Sequence, residues 1–479
     1  MFKNVKYPKL FHFFWEISQI PRGSGNEAGI ADYLESFAAE RSLYCYRDEA
    51  NNVLIRKGAS SNEYEGHPAV VLQGHTDMVC EADAGVEHDF LRDPIRFVVN
   101  GDVLTADGTT LGADDGCAVA AMLAILDSDS YGHPEIECLF TVGEEVGMDG
   151  MKAFDTSLLR GRSMINLDSA GEGVATVSCA GGVRCDFSRS FPMTELDGGE
   201  KVYSLTLSGL YGGHSGEDIA LGRANAIELC ARILRSIASV CKLRLISISG
   251  GDKDNAIPRE CRAVFAVSAD AEINSFFASS VSFSKHELIG DDAGFTAELD
   301  SADAQSSALS CEDSQSVIDF LSLFRSGPVM MSRAVPDMVE SSYNLAVARL
   351  EGDTLRAVVS FRSSEDDALD DLTLKMYSVG RVSGFEAICH GRYPGWKYAE
   401  ASPMRDKYLK VWKEITGEDG VAVGIHAGLE CGLLLSRVPD MDIISIGPDI
   451  KDLHSPSESL GIASFDRFFE AVLKILEIC

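Results

Sequence analysis

The sequence predicts an α/β fold with a mostly parallel central sheet flanked by helices, interrupted by an inserted α+β domain. Three observations lead there. Apolar runs of strand length and strand composition occur at residues 69–72, 136–142 and 164–167, and again only at 443–446. Helix-like segments, 117–126 and 153–159, alternate with the first three, which is the pattern of a parallel sheet layered with helices. Between the third run and the fourth lies a long stretch, 182–394, of a different texture.

Taken in chain order, the first element is an N-terminal helix. Leu10, Phe13, Phe14, Ile17 and Ile20 fall at helical spacing behind Pro8, while His12 and Glu16 break any signal-like apolar run. The three early strands follow, with the apolar helix 117–126 between the first two. In the middle stretch, 203–207 alternates like a half-exposed strand and 224–240 reads as an amphipathic helix, followed by strands at 243–248 and 263–267. A helix near 316–324, strands near 345–350 and 355–361, and a helix over 365–379 repeat that order, suggesting a duplicated unit. Residues 301–314, rich in Ser, Asp and Ala, read as an exposed linker.

Composition narrows the function. The 479 residues are 45% hydrophobic and 24% charged, which excludes disordered and fibrous classes. Lys and Arg total 42 against 74 Asp and Glu, a formal charge of −32, so nucleic acid and anionic membrane surfaces are excluded as partners. The apolar stretch 117–126 is far short of the ~20 residues that a bilayer requires. Thirteen scattered cysteines without a Cys-x-x-Cys pair form neither a disulfide framework nor a zinc knuckle, and suit a reducing cytoplasm.

Polar residues then gather where the strands end. Val70-Val71-Leu72-Gln73 runs into Gly74-His75-Thr76-Asp77, Leu139-Phe140-Thr141-Val142 into Gly143-Glu144-Glu145, and Ile165-Asn166-Leu167 into Asp168. Ile444-Ser445-Ile446 leads to a loop holding His454, and Asp114-Asp115 precede the apolar helix. Singly these are a surface loop, a solvated acidic pair, a turn and a helix cap. Jointly they place two imidazoles and several carboxylates along the edge where parallel sheets bind ligands. That donor set suits borderline divalent metals, zinc above all. If Asp114, Glu145 and Asp168 ligate, their charge and that of a bridging hydroxide balance two divalent ions. Asp77 is then placed to orient His75, and Glu144 to act as general base.

These residues resemble a known family. Gln73-Gly-His-Thr-Asp-Met-Val-Cys-Glu, Gly108-Thr-Thr-Leu-Gly-Ala-Asp-Asp-Gly, Gly143-Glu-Glu-Val-Gly-Met-Asp-Gly, Gly212-Gly-His-Ser-Gly, His426-Ala-Gly-Leu-Glu-Cys-Gly and Leu453-His-Ser-Pro-Ser-Glu resemble the aminoacyl-histidine (Xaa-His) dipeptidases, co-catalytic zinc peptidases related to aminoacylase and glutamate carboxypeptidase. The resemblance implies a discontinuous dimetal peptidase domain, 1–181 with 395–479, and a lid and dimerisation domain, 182–394. It implies one metal on His75 and Asp168, a second on Glu145 and His454, and Asp114 bridging; zinc is expected, with manganese or cobalt as substitutes. His214 would stabilise the oxyanion, Arg362 assisted by Asn255 would receive the substrate's carboxylate, and Glu430 would meet its amino terminus. His426 is expected to be structural. Position 115 is often Asn in this family and is Asp here.

The implied protein is a cytoplasmic homodimer hydrolysing unblocked dipeptides, preferentially Xaa-His. The alternatives are a broader di- and tripeptidase, an N-acyl-amino-acid deacylase, or a non-catalytic relative, although no ligand or base is lost here.

Overall fold

The chain, described over residues 5–196 and 198–479 in a computed structural model, divides into two units. One runs to Ser178 and resumes over Trp396–Gly424 and Leu429–Cys479; the other holds Cys179–Gly395 and the short return Ile425–Gly428. The expected boundaries, 181/182 and 394/395, leave out that return.

The main strands are β1 (Tyr44–Arg47), β2 (Val53–Lys57), β3 (Val70–His75), β4 (Ile136–Thr141), β5 (Ser163–Asn166) and β6 (Val174–Cys179). Then come β7 (Gly181–Ser190), β8 (Glu200–Ser208), β9 (Leu243–Gly250), β10 (Cys261–Ser268), β11 (Thr296–Ser301), β12 (Val339–Glu351), β13 (Thr354–Ser363) and β14 (Glu386–Tyr393). β15 (Val421–Ile425) and β16 (Asp442–Ser445) close the series. The helices that matter here are α1 (Pro8–Ile17), α2 (Ala28–Glu40), α3 (Ala113–Leu126), α4 (Ala226–Ala238), α5 (Asn274–Glu287), α6 (Cys311–Ser322), α7 (Asp366–Ser383), α8 (Pro403–Thr416), α9 (Glu430–Arg437) and α10 (Ile462–Glu477).

The first unit is built on an eight-stranded sheet in the order β1-β2-β4-β3-β5-β16-β6-β15. Its four central strands, β4, β3, β5 and β16, are parallel, and antiparallel partners flank them. β3 and β4 are buried on both faces, which is why they read as continuous apolar runs. α3 is buried on nearly every side, from Gly116 through Leu126, packed between β3 and α1. Phe11 and Phe14 of α1 meet Phe465 of α10 edge-on, at centroid distances of 5.2 and 5.9 Å. Phe14 is fully buried, so truncation to Ala would cost about 3–5 kcal/mol.

The second unit is antiparallel, in the order β11-β8-β10-β9-β12-β13-β7-β14. The path β8-α4-β9-β10-α5-β11 fills one half of it. β7-α6-β12-β13-α7-β14 fills the other in mirrored strand order, with the first path inserted after β7. Each half is a split β-α-β-β-α-β arrangement, and the halves join where β9 pairs β12.

Two local expectations are corrected. Residues 153–159 are not a helix: Phe154 is extended, and the Asp155 side chain accepts from Ser157 N–H, leaving a single 3₁₀ turn over Thr156–Leu158. Residues 301–314 are not a bare linker, since Ser307–Leu309 pairs with Met193–Glu195 and Ser310 caps α6. Among the described residues no helix is long and apolar enough to cross a membrane.

Candidate metal centre

β3, β4 and β5 end side by side, so the loops that leave them share one edge of the first unit. His75 is the last residue of β3, and Asp114 sits just before the regular part of α3. Asp114 Oδ1 lies 3.0 Å from His75 Nε2, and its Oδ2 lies 3.1 Å from His454 Nε2. Asp168 Oδ1 is 3.8 Å from His75 Nε2, and Glu145 Oε1 is 3.1 Å from His454 Nε2. Two groups result, His75 with Asp114 and Asp168, and Asp114 with Glu145 and His454; within each, the ligand atoms all lie within 4.8 Å of one another. Asp114 belongs to both.

The electrostatics fit cations at this place. Burial works against charge on His75, yet Asp168, Asp114 and Asp77 outweigh it and hold its pKa well above the usual value. Hydrogen bonds to Asp114 and Glu145 push His454 up to about 10. Burial works to raise the pKa of half-buried Asp114, but hydrogen bonds from His454 and His75 outweigh it and hold the group well below the usual carboxylate range. A cluster that draws protons onto both imidazoles to offset its carboxylates has the donor set and charge of a two-cation site. Glu145 Oε1 is buried, and its one side-chain partner among the described residues is the His454 ring nitrogen at 3.1 Å.

The neighbouring carboxylates divide their tasks. His75 Nδ1 lies 3.1 Å from the Asp77 backbone carbonyl and 3.4 Å from its carboxylate, and that fully buried carboxylate accepts the backbone N–H groups of Glu144 and Glu145 and the Ser24 hydroxyl. Burial would raise its pKa, but these bonds and His75 bring it to about 2. Asp115 belongs to neither ligand group and accepts from His75 N–H and Ala118 N–H. That placement needs Gly74, because a Cβ there would lie 2.4 Å from both Asp115 Oδ2 and the Ala118 side chain. Burial, reinforced by Glu430, Glu145 and Asp114 against the pull of His75, lifts Glu144 to about 8.

Glu430 lies differently from the expectation. At the first turn of α9 it is fully buried, accepting from Gln73 Nε2 and Thr141 Oγ1, each at 2.6 Å. No face of its carboxyl is open to solvent, and burial lifts it to about 7. Gln73 Oε1 accepts in turn from Asn166, whose own oxygen bonds Ser445, so one polar chain ties the ends of β3, β4, β5 and β16.

The remaining candidates belong to the second unit. His214 lies on the short bridge pairing Gly213–His214 with Ala256–Ile257; its Nδ1 accepts from Glu217 N–H at 3.1 Å. Asn255 precedes that bridge and its carbonyl holds Ser215 N–H. Arg362, near the end of β13, donates to the Tyr393 hydroxyl at 2.9 Å. His426, carried in by the return Ile425–Gly428, bonds Ser342 through Nε2 at 2.7 Å; burial, then Arg362, pushes it down to about 3, so it is neutral.

Comparison with known proteins places this arrangement. Residues 205–275 match the peptidase dimerisation domain of the M20 family. Over 470 residues the chain is 34% identical to the cytosol non-specific dipeptidase of Escherichia coli (strain K12), covering 98% of this chain and 97% of that protein. The chain belongs to the M20 peptidase family.

The M20 peptidase superposes on the aminoacylhistidine dipeptidase of Vibrio alginolyticus with a TM-score of 0.91, at 34% identity over 99% of this chain and 97% of that one. An M20 metallo-carboxypeptidase from Sulfolobus solfataricus, 15% identical over 98% of this chain and 100% of that one, shares the fold at a TM-score of 0.55. Two residues of this M20 peptidase escaped the sequence reading. The Glu458 carboxylate accepts the backbone N–H groups of Leu111, Gly112, Ala113 and Asp114, at 2.8 to 3.3 Å, and so holds the loop that aims Asp114. Buried Arg22 donates to the carbonyls of Thr76, Asp77 and Gly112, joining that loop to the one after β3. Glu458 stands within the Leu453-His-Ser-Pro-Ser-Glu motif; for Arg22 the sequence offers no signal.

Proposed function

We propose that this M20 peptidase hydrolyses the peptide bond of unblocked dipeptides, with Xaa-His preferred, using two divalent ions of which zinc is the first expectation. The single observation carrying this is the Asp114 carboxylate set between two imidazoles, with Asp168 and Glu145 on either side. His75 and Asp168 would hold one ion and Glu145 and His454 the other, with Asp114 between them. Bound there, such ions polarise a carbonyl and acidify water.

The protein's own residues do the rest. Asp77 fixes the ring of His75 and, through two backbone N–H groups, the glutamate loop. Glu144 takes a proton from the attacking water and returns it to the leaving amine, a task for which a carboxyl held near neutrality is suited. His214 stabilises the oxyanion, and Arg362 with Asn255 receives the terminal carboxylate. Glu430 acts through Gln73 and Thr141 on the strand ends. The match of 205–275 to a dimerisation domain supports a homodimer, and a cytosolic relative at 34% identity supports a cytoplasmic enzyme.

The test is hydrolysis of β-Ala-His, Gly-His, Gly-Leu and an N-acetyl dipeptide, assayed side by side before and after chelation. Preference for the two histidine dipeptides, lost on chelation and restored by zinc or manganese, is expected. Equal cleavage of Gly-Leu would reduce the reading to a broad dipeptidase. Activity confined to the acetylated substrate would overturn it in favour of a deacylase.

A further inference from the structure

Three adjacent strands of the second unit carry one line of residues on one face. Arg362 of β13 stands opposite Gly182 of β7, and Gly182 stands opposite Tyr393 of β14. The register of β14 shifts between His390 and Tyr393, where Gly391 adopts a positive φ of 66°, and this shift sets Tyr393 across from Gly182. A side chain at position 182 would block the line: its Cβ would lie 2.6 Å from the Tyr393 hydroxyl oxygen and 2.7 Å from Cζ. With glycine there, the tyrosine ring crosses the middle strand and its oxygen reaches Arg362 Nη1 at 2.9 Å.

The hydrogen-bonding capacity of this pair is only partly used. The tyrosine oxygen accepts from arginine, which leaves its own O–H as a donor; the guanidinium has four further N–H groups. Among the described residues no carboxylate lies within ion-pair distance of Arg362, in a chain whose carboxylates outnumber its basic residues 74 to 42. Both side chains are half-buried, and the nearby imidazole of His426 is neutral. A half-buried cation beside a free hydroxyl donor, without an anion of its own, matches a ligand that only accepts.

We infer that Tyr393 is a second donor to the substrate's terminal carboxylate, held in line with Arg362 by the absence of a side chain at Gly182. This rests on the dipeptidase reading, in which Arg362 receives that carboxylate. A bidentate arginine fixes one plane of the carboxylate; a hydroxyl donor alongside fixes its rotation, and so selects a free C-terminus over an amide.

The test compares Gly-His with Gly-His amide on the metal-loaded enzyme. Tyr393→Phe keeps the ring and removes the hydroxyl, and thermal unfolding confirms the fold. It should raise KM for Gly-His roughly tenfold, with a smaller change in kcat, and leave KM for the amide in place. Gly182→Ala, which displaces the ring, should give the same shift, and the double variant should be no worse than either single one. If Tyr393→Phe moves neither KM, or moves both alike, while Arg362→Lys erases the acid-over-amide preference, this inference fails and the dipeptidase reading stands. If Arg362→Lys also leaves that preference intact, the reading of Arg362 fails as well.

Discussion

Asp77 Oδ1 lies 3.1 Å from the backbone nitrogen of Glu144, so the carboxylate that faces His75 Nδ1 at 3.4 Å also sets the position of the proposed general base. The two functions are separable by substitution. Glu144→Gln should lower kcat by roughly 10²–10⁴ with the metal content unchanged, because only proton transfer is lost. Asp77→Ala should lower kcat and metal content together, since His75 and the glutamate loop both lose their support. Elemental analysis beside steady-state kinetics checks both, and a metal-depleted Glu144→Gln would remove the case for a general base.

The adjacent aspartates give a sharper contrast. Asp114→Asn takes away the carboxylate shared by the two groups and should abolish binding of at least one ion. Asp115→Asn keeps an acceptor for one of its two backbone bonds and should retain both ions, with a loss of about 1 kcal/mol in stability. Metal titration by calorimetry reads the difference; equal loss in both variants would overturn the assignment.

Glu458 never faces the ligand cluster, yet four backbone N–H groups that aim Asp114 depend on it. Glu458→Gln sets an amide N–H₂ against those donors and should weaken metal affinity roughly 10–100-fold, together with a stability loss of about 2–4 kcal/mol. Competition with a chromophoric chelator measures the first and denaturant unfolding the second.

The pH dependence of Glu430 has a definite sign. Its folded pKa, about 7, lies above the usual 4.5, so its protonated form is the one the fold accommodates. Any destabilisation is absent below about pH 4.5, grows as pH rises between the two values, and is complete above 7. In chelator-treated protein, Glu430→Gln should therefore be more stable than the parent at pH 8, by up to about 3 kcal/mol, and equal to it near pH 4.5. Unfolding curves across that range check it; a gap that widens on acidification would contradict the sign.

What the sequence discloses, and what it hides, follows from the kind of contact involved. His75, Glu144, Glu145 and Asp168 are legible because each stands at the end of a largely buried strand or within four residues past it, where an ionisable group is costly unless it has a task. Glu458 and Arg22 are hidden because their partners are backbone atoms, which leave no residue-type signal and, for Glu458, lie about 345 positions away. Tyr393 is hidden because its meaning depends on a bulge and a glycine in a neighbouring strand. Among the helices, α5 buries only Ser284, so its sequence carries almost no apolar stripe to read.

The parallel pairing of β5 with β16 has a consequence for how the chain comes to life. At ordinary translation speed the ribosome needs roughly 15–60 s to span the roughly 280 residues between Ser163 and Asp442. Throughout that interval β5, apolar and buried in the finished protein, has a vacant edge on the newborn chain. The second unit, whose eight-strand order is complete once β14 has emerged, can fold meanwhile, lacking only the return Ile425–Gly428. The ligand cluster is thus incomplete until after β16 has emerged, because His454 leaves the ribosome after every other residue in it.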